Sequence, residues 1–386
     1  MKRRDALGLL AAGALVALPS PRAHAALSHA GVRTSVGEPP APHAMPGRDG
    51  RRSRSAALTL GAIPRVERRL RVALGIGRGL VTRHDGGFFV LHPNARASRF
   101  DAQGKLLFSL KLPAEASSGP VVTSSGSYAF LAFGELHLID DRGRTREKTQ
   151  LGDGDLSARS ILVTRDGSVL VASTGTLFKL SAFGELVFRR PAPEPPLELL
   201  ETAAGVVCVT NAGSVQRLDG AGRLSKLGEL GGGAGAVTCS HDGTELLVRS
   251  GNHRLVSFDL RERRLRASIE DATLELDGPV LLSRERLAQV FTSDGLLVRY
   301  RPDGSEAQRV PIDPGARKAP GLDDALLLAD GRLLVARTAA DVVLITPNGE
   351  VSTLPGTACP DPIGLFAAGP RSVLLACRSG NLLLLG

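Results

Sequence analysis

The chain repeats itself about every 40 residues, and that period limits its possible folds more than any single motif does. A tight turn near Gly86 recurs near Gly126, Gly167, Gly205, Gly243, Glu285, Gly331 and Pro370, at intervals of 40, 41, 38, 38, 42, 46 and 39 residues. A second turn near Gly104 recurs near Gly143, Gly184, Gly222, Glu262, Gly304 and Gly349, at 39, 41, 38, 40, 42 and 45. Two separate landmarks keeping one period define a structural unit. Residues 160–190 show it most cleanly. Ile161-Leu162-Val163 leads through Arg165-Asp166-Gly167 to Val169-Leu170-Val171-Ala172, then through Thr174-Gly175 to Leu177-Phe178-Lys179-Leu180. A turn ending in Gly184 and a last strand, Leu186-Val187-Phe188, complete it.

Four short strands per unit read as the blades of a β-propeller. Second strands such as Val373-Leu374-Leu375-Ala376 are apolar on both faces, as a strand sandwiched between two sheets requires. Glycine supplies positive φ in the turns, and aspartate bonds to its own backbone there, so the Asp-Gly turns need no catalytic explanation. The 320 residues from Glu67 to Gly386 accommodate eight 40-residue units. The last unit stops after three strands, at Leu382-Leu383-Leu384-Leu385-Gly386. Upstream, Glu67-Arg68-Arg69-Leu70-Arg71 repeats Glu262-Arg263-Arg264-Leu265-Arg266, which belongs to an outer-strand region. The expectation is an all-β, eight-bladed propeller in which residues 67–74 form the outer strand of the last blade; seven blades is the alternative. On this reading, trimming through Pro64 leaves the thermal transition almost unchanged and trimming through Leu74 lowers it sharply.

The unit Gly119-Pro120-Val121-Val122, Gly126, Phe130-Leu131-Ala132, Gly134, Leu136-His137-Leu138-Ile139-Asp140, Gly143 resembles the repeat of PQQ-like propellers. That group contains quinoprotein alcohol dehydrogenases and an outer-membrane-assembly lipoprotein. Gly251-Asn252-His253-Arg254-Leu255 with Phe258-Asp259 resembles an NHL repeat, a second propeller unit whose rings usually have six blades. The quinoprotein enzymes carry blade tryptophans, and many hold adjacent cysteines above the quinone. This chain has no Trp and four well-separated cysteines. The resemblance therefore implies the fold and argues against quinone chemistry, and no cofactor is expected.

The N-terminus reads differently. Lys2-Arg3-Arg4, the apolar stretch Ala6 to Leu18 and Ala23-His24-Ala25 form a three-part signal peptide over residues 1–25. Arg3-Arg4-Asp5-Ala6-Leu7 partly matches the twin-arginine export signal, with Ala6 where that signal prefers Phe. The apolar stretch is too short to span a bilayer, which takes roughly 20 residues. Residues 26–64, rich in Pro, Gly, Ala and Arg, read as a flexible linker, and 65–386 as a single propeller domain. Residues 1–64 hold nine Lys or Arg against three acids, whereas the remaining 322 hold 39 against 36. A body that balanced lacks the concentrated footprint that phosphate recognition requires, which excludes nucleic acid as a partner.

A channel-bound metal would need carboxylates from several inner strands. Those strands start at Gly79-Leu80, Gly119-Pro120, Ser160-Ile161, Leu197-Glu198, Gly235-Ala236, Gly278-Pro279, Asp323-Asp324 and Ile363-Gly364. Only Glu198, Asp323 and Asp324 are acidic there, on two strands, which makes no ring. His84-Asp85 and His241-Asp242 sit in first turns and read as turn chemistry. Asp153-Gly154-Asp155 is a fragment of a calcium loop without its further ligands. Cys208 and Cys239 lie in neighbouring blades, whose sheets stand about 10 Å apart, too far for a disulfide. Cys359–Cys377 is the pair that could bond, with buried thiols the other option. No residue is assigned a catalytic, cofactor-binding or metal role. The expected function is an exported, periplasmic or secreted, monomeric binding or scaffold module that takes a protein or peptide through its loop face. A metal-dependent hydrolase or lyase is the alternative.

Overall fold

Strands this short are stable only when both faces of their sheet are covered, and a closed ring of sheets is how this chain covers them. The computed structural model describes residues 58–83, 85–152, 160–312, 322–338, 340–369 and 371–386, with only the backbone of Leu322 and Asp323. Residues 1–25, the expected signal peptide, and residues 26–57 lie outside the described residues. Within them every regular element is a strand, and the strands form eight four-stranded antiparallel sheets. Blades 1 to 7 are residues 79–111, 121–150, 160–191, 196–229, 234–270, 276–311 and 322–353. Blade 8 takes three strands from residues 362–385 and its outer strand from Val66–Arg71.

In each blade the chain meanders outward from the axis. The first and third turns thus share one face of the disc, the turn face, while second turns and inter-blade links share the opposite, link face. First strands pack on one another from blade 2 round to blade 8, and that of blade 8 packs on blade 1. Blade 1 meets blade 2 where Phe89 stacks on Tyr128 with ring centroids 4.2 Å apart. The apolar clusters lie between facing sheets, with fully buried Phe89, Phe130, Phe178, Phe258 and Phe291 doing the filling that Trp cannot do here.

The third turns explain the second glycine landmark. Each seats on the outer strand of the preceding blade. A Cβ on Gly143 would lie 2.8 Å from the Phe108 ring, and one on Gly104 would lie 2.7 Å from Leu70, so these glycines satisfy both a positive φ and a close approach. Blade 5 inverts the arrangement. Its turn bears Arg263 at φ 53°, and the glycine is Gly228 on the facing outer strand of blade 4, where a Cβ would lie 2.6 Å from Phe258. The sequence landmarks at Glu262 and Glu285 are thus each one residue early: the left-handed residues are Arg263 and Arg286. In blade 8 the positive φ belongs to Gly369, and Pro370 lies outside the described residues.

The ring closes as the repeat arithmetic requires. Arg68, Arg69, Leu70 and Arg71 pair with Leu384, Leu383, Leu382 and Asn381, and Arg65 and Gly386 exchange two backbone hydrogen bonds. The observed strand, Val66–Arg71, ends three residues before the expected limit of 74. Arg68 reaches forward to the Ala102 carbonyl of blade 1 (3.1 Å), and Arg69 reaches back to the Gly356 carbonyl after blade 7 (2.8 Å). On the link face, Cys359 bonds to Cys377 across a Cα separation of 5.9 Å, tying the segment between blades 7 and 8 to the second strand of blade 8. Cys208 and Cys239 are buried outside that bond.

The expected linker through residue 64 needs correction, because its end is docked. Leu58 and Leu60 are buried against Leu326, Leu328, Leu334, Leu344 and Leu354. The Leu58 carbonyl accepts the Ala329 N–H (3.0 Å), and the Arg332 guanidinium donates to the carbonyls of Leu60, Gly61 and Ala62 at 2.7–3.0 Å. Two fully buried leucines contribute about 1.5–3 kcal/mol each. Trimming through Pro64 is therefore expected to lower the thermal transition by several degrees while leaving a folded ring, and trimming through Leu74 to abolish cooperative folding. Calorimetry of the two truncations checks both, and identical transitions would overturn the closure.

Candidate functional site

The inner strands start at the link-face end of the channel, so the contacts of the acids there bear on whether the channel could hold a metal. Asp324 is buried, and its Oδ2 accepts the Leu365 N–H from the first strand of blade 8 at 2.8 Å. Gly364 makes room for it, since a Cβ there would lie 2.8 Å from that oxygen. Glu198 accepts the Ser160 hydroxyl at 2.5 Å, and Ser160 in turn accepts the Leu199 N–H at 3.2 Å, linking blades 3 and 4. Thr82 donates to the Ala367 carbonyl at 2.7 Å and joins blade 1 to blade 8. These groups stitch neighbouring first strands together. The Asp323 side chain and Asp153-Gly154-Asp155 lie outside the described residues. Among the described residues no three His, Cys, Asp or Glu side chains gather in metal-binding geometry.

The first-turn aspartates are also engaged. Asp242 accepts the hydroxyls of Ser240 (2.6 Å) and Thr244 (2.8 Å), the Thr244 N–H, and the Arg286 guanidinium of blade 6 (2.8 Å). Burial works to raise its pKa, but those donors win and hold it well below the usual carboxylate range. His241 stands exposed beside it. Asp166 follows the same pattern: burial opposes ionisation, yet Thr164, Ser168 and Lys179 bring it down to about 2. Asp85 accepts the Gly87 N–H and Arg99 Nη2, both at 2.9 Å, while its neighbour His84 lies outside the described residues.

Three buried arrangements escaped the sequence reading. Arg99 is buried against Asp85, and Arg83 bridges to Tyr128 across the seam to blade 2. Glu245 is buried under the Ser257 hydroxyl, with Arg266 and Arg286 at 3.6 and 3.5 Å. Arg299, on blade 6, meets Gln289, Gln308 and the carbonyls of Thr346 and Pro347, and so clamps blade 7 without any carboxylate. One signal was available. Arg99, Lys179, Arg217 and Arg299 all stand one residue before the end of a third strand, so the repeat register aligns them.

No family model matches the chain, and a search of curated proteins finds no significant match. Solved structures do match. BamB from Moraxella catarrhalis is 17% identical over 84% of this chain and 98% of its own, with a TM-score of 0.65. The Dos1 propeller is 11% identical over 84% and 95%, at 0.67. Virginiamycin B lyase from Staphylococcus aureus is 15% identical over 82% and 98%, at 0.51. Identities this low establish the propeller fold alone.

Two buried histidines are expected to make the stability of the domain depend on pH. His92 contacts the Gly75 carbonyl through Nδ1 (2.6 Å) and Ser98 Oγ through Nε2 (2.9 Å). His137 stacks on Phe130, with centroids 5.4 Å apart. Burial pushes both pKa values below the ordinary value of 6.5. Above that value both states are neutral and stability is full. As pH falls through it, the unfolded chain takes up protons that the folded chain refuses, so stability drops toward the lowered folded values. The thermal transition is expected to fall between pH 7.5 and 5, above the range in which the aspartates titrate. The fall should be shallower in a His92→Asn, His137→Leu double variant; an unchanged slope would show that these groups do not govern it.

Proposed function

We propose that this chain is an exported, non-catalytic β-propeller that binds a protein or peptide, acting as a scaffold in the bacterial envelope or outside the cell. The observation that carries this reading is the engagement of Asp324 and Glu198 in hydrogen bonds between blades. The acids a channel metal would recruit are already acceptors for the ring itself, and withdrawing them would loosen two seams. Large apolar side chains meanwhile stand on the outside, with Phe133, Phe183 and Val187 all more than half exposed. Phe183 stands next to Leu186 and Val187, and a cluster of exposed apolar residues is what a binding module offers.

The export assignment rests on the three-part pattern of residues 1–25, with the twin-arginine route as its finer form. Eight blades favour the PQQ-like repeat over the NHL repeat, whose rings usually have six. The module acts as a monomer on this reading, and its described residues include no helix long and apolar enough to cross a membrane.

Metal analysis separates this reading from a metal-dependent hydrolase or lyase. A required ion at a hundredfold excess over its Kd contributes about 2.7 kcal/mol, which chelation would remove as a drop of several degrees. We expect no stoichiometric metal in the purified protein and no change in its thermal transition with EDTA. A tightly held divalent ion whose removal destabilises the ring would overturn the reading.

A further inference from the structure

We propose that one half of the outer rim, formed by the outer strands of blades 8, 1, 2 and 3, is the docking surface, and that its occupant is an extended acidic protein segment with interspersed apolar residues. This inference rests on the protein-binding reading above and says where the partner sits and what its chemistry is. The rim is the one part of a propeller whose strands have a free edge, so its side chains face solvent or a partner.

Charge is distributed unevenly around that rim. The outer strands Val66–Arg71, Leu106–Lys111, Thr145–Gln150 and Leu186–Pro191 hold eight Lys or Arg and two Glu. The outer strands of blades 4 to 7, Leu224–Glu229, Arg264–Glu270, Glu306–Pro311 and Val351–Thr353, hold four and three. One half-rim thus carries +6 and the other +1, although the whole of residues 65–386 carries only +3. Pairing is equally uneven among the described residues. Of the eight cations in the first half only Arg146 lies within 4 Å of a carboxylate, whereas in the second half Lys226, Arg266 and Arg309 all do.

The exposed apolar residues gather on the same side. Of nine large apolar side chains exposed among the described residues, six fall in blades 1 to 3 and one, Leu265, in blades 4 to 7, while Ile63 and Leu74 lie outside the blades. Leu106-Leu107 and Leu186-Val187 occupy the same two positions in their strands, at the turn-face end, with Phe183 in the turn just before. Lys111, Arg189 and Arg190 lie toward the link-face end. A basic band therefore runs along this half of the rim, and beside it an apolar band is confined to blades 1 and 3, with Thr145-Arg146 of blade 2 between them.

Charged residues on edge strands also serve to block aggregation. That need is the same in all eight blades, yet blades 4 to 7 lack the excess, and blocking gives no reason to expose Leu and Val beside the free edge. A nucleic acid would use the basic band and leave the apolar one wet. A flat bilayer would touch a convex rim at one or two blades and could not engage four. A protein segment that wraps the curve meets both features, since its carboxylates answer the cations and its apolar residues cover the leucines.

The test uses the full mature protein and a labelled synthetic peptide, Glu-Val-Asp-Leu-Glu-Ile-Asp-Val-Glu-Leu, followed by fluorescence anisotropy. Binding is expected, weakening with salt, and falling about tenfold or more in K148E/R189E/R190E and in L106S/L107S/L186S/V187S. A reversal on the other half, K226E/R264E/R309E, is expected to change it less than about twofold, with all three variants checked for an unchanged thermal transition. No peptide binding, equal binding of oligo-glutamate of the same charge, or binding of phosphatidylglycerol vesicles that depends on these same residues would each overturn the proposal. Cross-linking in the native envelope separates the two levels of the argument. A stoichiometric partner kept by both rim variants would displace the site and leave the binding reading standing, while no partner at all would remove the binding reading itself.

Discussion

A ring of sheets has no stable intermediate size, because any missing blade leaves two apolar sheet faces in water and any missing outer strand leaves an open edge. Here that condition is met by six residues, Val66–Arg71, which pair with a strand more than 300 positions away in the chain. Every other strand pairing is local, one antiparallel hairpin after another. Only this pairing spans the whole sequence, and it must wait until the last blade exists. The chain reinforces it from both faces. Leu58 and Leu60 anchor the approach on the turn face, and Cys359–Cys377 fastens the neighbouring link on the other. The leucine anchor acts across a long loop, where closure entropy is largest, whereas the disulfide spans 18 residues and fixes the last link locally.

Between closure points, the seams follow one rule with interchangeable parts. A third turn must come close to the outer strand before it, so one of the two surfaces has to give up a side chain. Most blades put glycine in the turn, as at Gly104 and Gly143, whereas blade 5 puts it on the strand at Gly228 and lets Arg263 take the left-handed turn. The steric requirement belongs to the contact and not to either position. This accounts for an interruption of the glycine pattern that does not interrupt the fold.

That distinction also explains what could be read in the sequence. Eight blades, the strand positions and the closing strand are the expectations that period, apolar runs and length favour, whereas spacing singles out Cys359–Cys377 as the pair able to bond and leaves open whether it does. The swap at Gly228 and Arg263 needs two facing blades, and the docking of Leu58 and Leu60 needs a surface 270 residues downstream, so neither leaves a local trace. Glu198 and Asp324 are the instructive middle case. Their partners, Ser160 and Leu365, lie 38 and 41 residues away, one repeat in each direction. An acid read in isolation looks like a ligand. Read against the equivalent position of the adjacent unit, it becomes a rung between first strands.

The same geometry bears on where activity can be built. In a propeller, the first strands are the most crowded and the outer strands the least constrained, so a polar group near the axis is readily recruited to structure while one on the rim is not. Glu198 and Asp324 have gone that way. On the rim the ordinary pressure is toward uniformity, because every free edge carries the same aggregation risk. The departure from uniformity therefore has the stronger claim to function. The outer strands of blades 8, 1, 2 and 3 hold most of the rim cations that lack a carboxylate partner, and blades 1 to 3 hold six of the nine exposed large apolar side chains; ring closure asks for the strand of blade 8, but no packing requirement distinguishes blades 1 to 3 from blades 4 to 7.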